Sequence, residues 1–324
     1  MIKLVYPKFW SKNGVLPILL TPFSWIYQLL TIIRKLFAKP IRLNAKVICI
    51  GNISVGGTGK TQIVELLAKH YKQQNKNILI ITKGYGSSLK RAKLVNETDL
   101  ASNVGDESIL LSQFAPVIAA KKIQYSLPLI KELKPEIIIF DDGLQNPNFI
   151  KDCKIIVIDN QRAIGNGRIF PSGPLREKTN SALSGCDAVI MIGDNDCSDF
   201  QLIKNITDHN KPIFKASIKL LSKINKDTEY FAFSAIGNPD KFFNTLINNG
   251  AKIKQTKQFP DHHQFSQQEI SKLKNIAKKH DYTLITTKKD YVKIKETKNI
   301  ECALVDINFE DKPKFISLID ETLS

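Results

Sequence analysis

Residues 46–61, Lys-Val-Ile-Cys-Ile-Gly-Asn-Ile-Ser-Val-Gly-Gly-Thr-Gly-Lys-Thr, constrain the fold more than any other stretch of the chain. Residues 47–50 form a short apolar, largely β-branched run that reads as a buried strand. A glycine-rich turn follows. Residues 62–71 then carry good helix formers, with Ile63, Leu66, Leu67 and Tyr71 spaced for one helical face. Strand, flexible loop and a helix opened by Gly-Lys-Thr are the context of a phosphate-binding P-loop. Gly56, Gly57 and Gly59 keep side chains out of the way, so that the backbone N–H groups of the loop from Ser54 and Val55 through Thr58 can converge on a phosphate. The helix dipole favours the anion, Lys60 bridges two phosphates, and the Thr61 hydroxyl is a ligand for Mg2+. Ser54 departs from the G-x-x-x-x-G-K-[ST] pattern, standing where its first glycine is expected.

A chain of 324 residues has room for two domains. Its formal net charge of +16 is compatible with nucleic acid, a membrane surface or an acidic substrate. The basic residues are mostly lysines spread along the chain, and no aromatic-interleaved basic stripe, zinc finger or RNA-binding signature accompanies them, which argues against nucleic acid. Five scattered cysteines without a C-x-x-C pair argue for a reducing compartment, and against both a disulfide framework and a thiolate metal site. Cys49, Cys153 and Cys302 fall within or at the start of strand-like runs, as small core residues do.

Residues 13–33 carry no formal charge, but Pro17 and Pro22 are expected to interrupt the run and leave too short a helix to cross a bilayer. No small-residue cleavage site follows, so a signal peptide is not expected either. Residues 23–37 have helical periodicity with one narrow polar stripe, Ser24, Gln28, Thr31 and Lys35, and apolar side chains over the rest. Such a helix is either packed deeply against a domain or lies in a membrane interface. Trp25, Tyr27 and the cluster Arg34, Lys35, Lys39 and Arg42 favour the interface of an anionic leaflet. Residues 1–40 are accordingly read as an N-terminal membrane-associating segment.

Downstream, strand and helix signals alternate, the mark of an α/β parallel sheet. Strand-like runs at 78–82, 117–120, 136–140, 154–158 and 188–192 assign residues 41–222 to a P-loop core, and residues 87–104 are too polar to fix a structure. The run at 136–140 ends in Asp141-Asp142-Gly143, which places an acidic pair at a strand terminus, where a P-loop enzyme holds Mg2+. The loop 166–177 carries Arg168 and Arg176 where lysine fills almost every other basic position, and arginine offers the bidentate fork suited to phosphate. Residues 223–324 are read as a smaller α/β lobe. Its loop Phe259-Pro260-Asp261-His262-His263 lacks metal-site spacing but suits acid–base work, with Asp261 placed to orient an imidazole.

Together these pieces resemble the tetraacyldisaccharide 4′-kinase family, the lipid A 4′-kinases of Gram-negative envelope synthesis. The resemblance covers roughly residues 10–295. It rests on the stretch 51–61, Gly84-Tyr85-Gly86, Gly105-Asp106-Glu107, Asp141-Asp142-Gly143-Leu144-Gln145, Gly173-Pro174-Leu175-Arg176-Glu177, the Phe259–His263 loop and Thr287-Lys288-Lys289-Asp290, in family order. The family's P-loop also begins with a hydroxyl residue, which accounts for Ser54. Lys83 and Asn146 depart from the family, which usually has an arginine before Gly-Tyr-Gly and a histidine after Asp-Asp-Gly-Leu-Gln. Another departure is the absence of an arginine near Lys121-Lys122. The resemblance implies an α/β P-loop NTPase-like core, a smaller C-terminal α/β lobe and an N-terminal helix on the cytoplasmic face of the inner membrane. It implies transfer of the ATP γ-phosphoryl group to the 4′-hydroxyl of an anionic acylated disaccharide 1-phosphate, giving lipid IV-A, with no obligate protein partner evident. On this expectation Lys60 and the loop hold ATP, and Thr61 with Asp141 and Asp142 holds Mg2+. Asp106 with His262 (or its neighbour His263) accepts the proton. Glu107, Gln145 and Tyr85 position metal or nucleotide, and Arg168 and Arg176 meet the lipid's phosphate. A kinase of a soluble small molecule and a nucleotide-switched assembly factor are the alternatives.

Overall fold

The computed structural model describes residues 6–324, so residues 1–5 of the expected N-terminal segment lie outside the described residues. The strands are β1 (Lys46–Gly51), β2 (Ile78–Thr82), β3 (Lys93–Leu94), β4 (Val117–Ala119), β5 (Ile137–Asp141), β6 (Cys153–Asp159) and β7 (Ala188–Ile192). They continue with β8 (Ile213–Leu220), β9 (Glu229–Ser234), β10 (Lys252–Gln258), β11 (Thr283–Thr287), β12 (Ile300–Ala303) and β13 (Val305–Phe309). The helices of the first half are α1 (Val15–Leu36), α2 (Lys60–Gln73), α3 (Ala101–Val104), α4 (Asp106–Ser112), α5 (Leu127–Leu133) and α6 (Thr179–Ser184). Those of the second half are α7 (Phe200–Asp208), α8 (Pro239–Asn248), α9 (Gln267–His280), α10 (Lys288–Tyr291) and α11 (Lys312–Leu323).

Two sheets carry the chain. The larger has the order β13-β8-β7-β6-β1-β5-β2-β4-β3, parallel from β8 to β4 with an antiparallel strand at each edge. The central strands are buried on both faces, and for that reason they read as continuous apolar runs rather than alternating ones. Helix α2 buries Ile63, Val64, Leu66, Leu67, Ala68 and Tyr71 against one face. Each large side chain so buried contributes about 1.5–3 kcal/mol, which anchors the helix whose first turn closes the glycine-rich loop. The second sheet, β10-β9-β11-β12, is all parallel.

The expected lobe 223–324 is not continuous in space. Its sheet spans β9 to β12, but β13 returns to pair with β8, and α11 packs Phe315, Ile316 and Ile319 into the core of the larger sheet. The apolar alternation of residues 305–309 is visible in the sequence, whereas the choice of sheet is a long-range pairing that periodicity does not encode. The polar stretch 87–104, expected to lack structure, contains the two-residue edge strand β3 and the single-turn α3.

The N-terminal helix also differs from expectation. Pro17 and Pro22 do not break it; α1 runs unbroken for 22 residues. Pro17 is the third residue, where no helical donor is lost, and Pro22 removes only one N–H. The turn around Pro17 is secured from outside, since Ser172 Oγ donates to the Pro17 carbonyl. At about 33 Å, α1 is long and apolar enough to cross a membrane by length and composition (mean hydropathy 1.6). Its polar stripe faces inward. Ser24 Oγ donates to the Ile169 carbonyl at 2.8 Å and accepts from Ser172 N at 3.2 Å, and Lys35 pairs with Glu177 at 3.0 Å. Its apolar side chains, among them Leu19, Phe23, Trp25, Leu30 and Leu36, face outward and are exposed.

Candidate active site

The parallel register explains how the site assembles. Ile50 of β1 stands opposite Asp141 of β5, so the acidic pair emerges beside the glycine-rich loop. β2 flanks β5 on its other side and delivers Lys83 to the same end. The second sheet faces this edge with its own strand termini: Gly237 follows β9, His262 follows β10 and Lys289 follows β11. Residues from both sheets line one cleft of about 570 Å³, including Val55 to Gln62, Lys83, Tyr85, Glu107, Asp141, Asp142, Arg176, Asp261, His262 and Lys289. The contact between sheets is close enough to demand glycine. A Cβ on Gly237 would lie 2.9 Å from the Gly57 backbone nitrogen. Arg162 bonds the Gly237 carbonyl at 3.0 Å and stacks over Tyr6.

On the phosphate side, Asp142 is a hub for cations. Arg176 reaches its two oxygens at 2.7 and 2.9 Å, Lys83 lies at 3.3 Å and Lys60 at 3.8 Å. Burial opposes ionisation of Asp142, but Lys60, Arg176 and Lys83 outweigh it and hold the carboxyl well below the usual carboxylate range. Its neighbour behaves oppositely. Asp141 is fully buried, its Oδ2 has no hydrogen-bond partner, and burial together with the nearby Glu107 charge pushes its pKa up to about 8 against the pull of Lys60. Thr58 Oγ1 is likewise buried and unpartnered. Among the described residues no group of three or more His, Cys, Asp or Glu is placed to hold a metal. Mg2+ does not require one, because it keeps waters and uses one or two carboxylates plus substrate phosphates. Thr61, Asp141 and Glu107 supply oxygen donors to the cleft lining, and the buried Asp141 Oδ2 has no hydrogen-bond partner, so these residues fit the ion.

On the opposite side, His262 Nδ1 lies 2.9 and 3.0 Å from the two Asp106 oxygens. A carboxylate only accepts, so Nδ1 carries the hydrogen and Nε2 of the neutral ring is the basic nitrogen. Asp106 opens α4 immediately after Gly105, at φ 93°. A Cβ there would come within 2.9–3.0 Å of the Gly84 backbone, so glycine at 105 lets the two turns meet. Burial opposes ionisation of Asp106, yet Lys289, the His262 hydrogen bond and Lys293 together keep its carboxyl well below the usual range. Tyr85 packs its ring on the imidazole with centroids 4.6 Å apart. His263 turns away to Glu269 at 3.0 Å and stacks on Phe259.

Other expected residues are placed differently. Asp261, expected to orient the imidazole, lies 3.7 Å from His262 Nε2, and the hydrogen-bonded carboxylate is Asp106. Ser54 is buried and pairs with Leu175 outside the cleft lining. Gln145 also lies outside that lining, donating to the Asn52 carbonyl and to Glu177 and accepting from Arg176. Arg168 bonds Asn13 and Thr21 beside α1, away from the cleft, and Arg176 is occupied by Asp142. Asn146 uses its side chain to cap Asn148 N in its own turn. Lys289, from the Thr-Lys-Lys-Asp motif, also lines the cleft; it belongs to a polar motif directly after an apolar strand, the same pattern that marks Asp141.

The family described as tetraacyldisaccharide-1-P 4′-kinase, LpxK, matches residues 16–324. A tetraacyldisaccharide 4′-kinase of Rickettsia bellii is 50% identical over 300 residues, 93% of this chain and 92% of the relative. That of Rickettsia canadensis is 48% identical over 313 residues, 96% and 95% of the two chains. The crystal structure of an "apo" form of LpxK from Aquifex aeolicus in complex with ATP superposes with a TM-score of 0.74 at 27% identity, covering 96% of this chain and 100% of that one. The chain therefore belongs to the tetraacyldisaccharide 4′-kinase family.

Proposed function

We propose that the cleft transfers the γ-phosphoryl group of ATP to the 4′-hydroxyl of a tetraacyldisaccharide 1-phosphate, forming lipid IV-A. The observation that carries this reading is the pairing, in one cleft, of a P-loop with an Asp106–His262 couple that spans the two sheets. Membership of the family does not favour a soluble acceptor or an assembly factor.

In this mechanism the backbone of residues 55–59 and Lys60 hold the β- and γ-phosphates, and Lys60, Lys83 and Arg176 offset charge developing on the transferring group. Thr61, Asp141 and Glu107 would hold Mg2+, which when bound supplies charge neutralisation to the phosphates. Asp142 serves mainly to assemble the three cations. His262 Nε2 takes the proton of the 4′-hydroxyl while that oxygen attacks the γ-phosphorus and the bond to the β–γ bridging oxygen breaks, releasing ADP. Asp106 keeps the ring oriented and stabilises the imidazolium. Closure of the second lobe over the cleft excludes water and so limits futile ATP hydrolysis.

Helix α1 is read as the element that meets the lipid surface. Ser24 and Lys35 of its polar stripe are spent on the 169–177 loop, which leaves a continuous apolar face for the cytoplasmic leaflet, with Arg34 near its C-terminus for anionic headgroups. Incubation with ATP, Mg2+ and the disaccharide 1-phosphate is expected to yield a 4′-phosphorylated product, and absence of product under conditions where ATP binds would sink the reading. In flotation with anionic liposomes the full chain is expected to rise with the vesicles and a chain lacking residues 1–38 to remain below.

A further inference from the structure

We propose that Lys289 is a positioning residue that clasps the two lobes, holding Asp106 and Glu107 of the core against the loop that carries His262. Its ammonium lies 3.1 Å from Glu107 Oε1, 3.8 Å from Asp106 Oδ2 and 3.9 Å from Asp261 Oδ1. Two of these carboxylates open α4 on the core, and the third belongs to the second lobe. Without the ammonium between them, like charges would face one another across the lobe boundary. Asp261 is one residue from His262, whose backbone is held in the left-handed region at φ 58°. If Asp261 retreats, His262 Nδ1 leaves Asp106 with it.

The clasp is mounted on a rigid support. Lys289 belongs to α10, capped at Thr287, whose Oγ1 accepts from Asp290 N. Asp290 is fully buried, and its Oδ2 accepts from Ala235 N, Ser234 Oγ and Thr287 Oγ1, which fixes α10 to the end of β9. Lys293, with a fully buried side chain, pairs with Asp290 Oδ1 at 2.7 Å and lies 3.9 Å from Asp106 Oδ2. Buried ion pairs are weak sources of stability, because desolvation offsets their attraction. The ammonium groups of Lys289 and Lys293 act in placement: facing Asp106 and Glu107 across the boundary, they turn a repulsive lobe contact into an attractive one at the atoms that carry the proton.

The kinetic part of the test rests on the phosphotransfer reading above. Full-length wild type, Lys289→Met, Lys289→Gln and Lys289→Arg are compared for kcat and ATP KM with the disaccharide 1-phosphate in detergent micelles. In parallel, genetically encoded spin labels at the exposed positions Lys72 and Lys272 report the distance between α2 and α9. The neutral variants are expected to lower kcat about 10²-fold, the scale of a misplaced catalytic group, with ATP KM changed less than about 3-fold. Their lobe distance should lengthen and broaden, and Lys289→Arg should restore both readouts at least in part; Lys289→Gln serves where methionine among the carboxylates prevents folding. An unchanged lobe distance in folded neutral variants would overturn the clasp. A rise in ATP KM at constant kcat would also overturn it, making Lys289 a phosphate ligand. Should the wild type itself make no 4′-phosphorylated product, the functional reading fails and the distance measurement alone decides the clasp.

Discussion

The phosphate end and the proton-accepting end of the cleft are assembled by different means. At the phosphate end, one parallel sheet does the work. β1, β5 and β2 are adjacent, and their termini deliver the glycine-rich loop, Asp141 with Asp142, and Lys83 to one place. At the other end nothing is local. Asp106 opens α4 on the core, His262, 156 residues away in the chain, follows β10, and Lys289 follows β11, so their meeting depends on how the second sheet docks. The first end is preorganised by the register of the sheet. The second is only as good as the interface between lobes, which makes it the natural place to control the reaction.

The largest expected effect tests that division directly. Replacing His262 or Asp106 by alanine removes the base or its orienting partner and should lower kcat about 10²–10⁴-fold while leaving ATP affinity nearly intact. The double variant should be little worse than either single one, since the two side chains act as a unit. Near-normal turnover in both single variants, measured by product formation, would place proton transfer elsewhere.

Lys60→Ala should show the opposite signature. Loss of one preorganised charge at the transferring group is expected to cost about 10²–10³ in kcat. It should also weaken ATP binding if Lys60, as proposed, holds phosphate in the ground state as well. Equilibrium binding of a fluorescent ATP analogue separates the two ends: weakened in Lys60→Ala, unchanged in His262→Ala. Equal loss of affinity in both variants would mean that the ends are coupled already in the nucleotide complex.

The same contrast explains what could be read from the chain alone. Strand, glycine loop and helix are consecutive, so residues 46–61 announce their structure through apolar runs and turn residues. The acidic pair was legible for a similar reason, because it closes an uninterrupted apolar strand. Spacing did not reveal the division of labour within that pair. Asp142 collects Lys60, Lys83 and Arg176, whereas Asp141 is left buried and unpaired, and this depends on the direction each side chain takes at the strand end. Helix α1 was legible as greasy but not as inverted. A narrow polar stripe on an apolar helix is compatible with a solvent-facing or an inward-facing stripe, and the hydrogen bonds of Ser24 to the 169–172 loop decide between them. The return of β13 and α11 to the larger sheet and the role of Lys289 both required long-range pairing.

The smallest expected effect concerns Asp141 and divides the phosphate end itself. Burial and the Glu107 charge penalise the Asp141 carboxylate and push its pKa up to about 8, well above the ordinary carboxyl range. Between about pH 4 and pH 8 the folded, metal-free protein therefore holds a proton that the unfolded chain has released. Stability falls as pH rises wherever the native state binds more protons, so Asp141 weakens the metal-free fold progressively across this window. Asp106 and Asp142 have lowered values and act below it, stabilising the fold until acid protonates them. Chemical denaturation of the metal-free protein should thus show declining stability from pH 5 to 8, and Asp141→Asn should flatten the slope. Added Mg2+ with ATP should stabilise the wild type more at pH 8 than at pH 6, because a proton competes for the same oxygens at the lower pH. A slope unchanged by Asp141→Asn would show that the Asp141 carboxyl is already ionised in the folded protein.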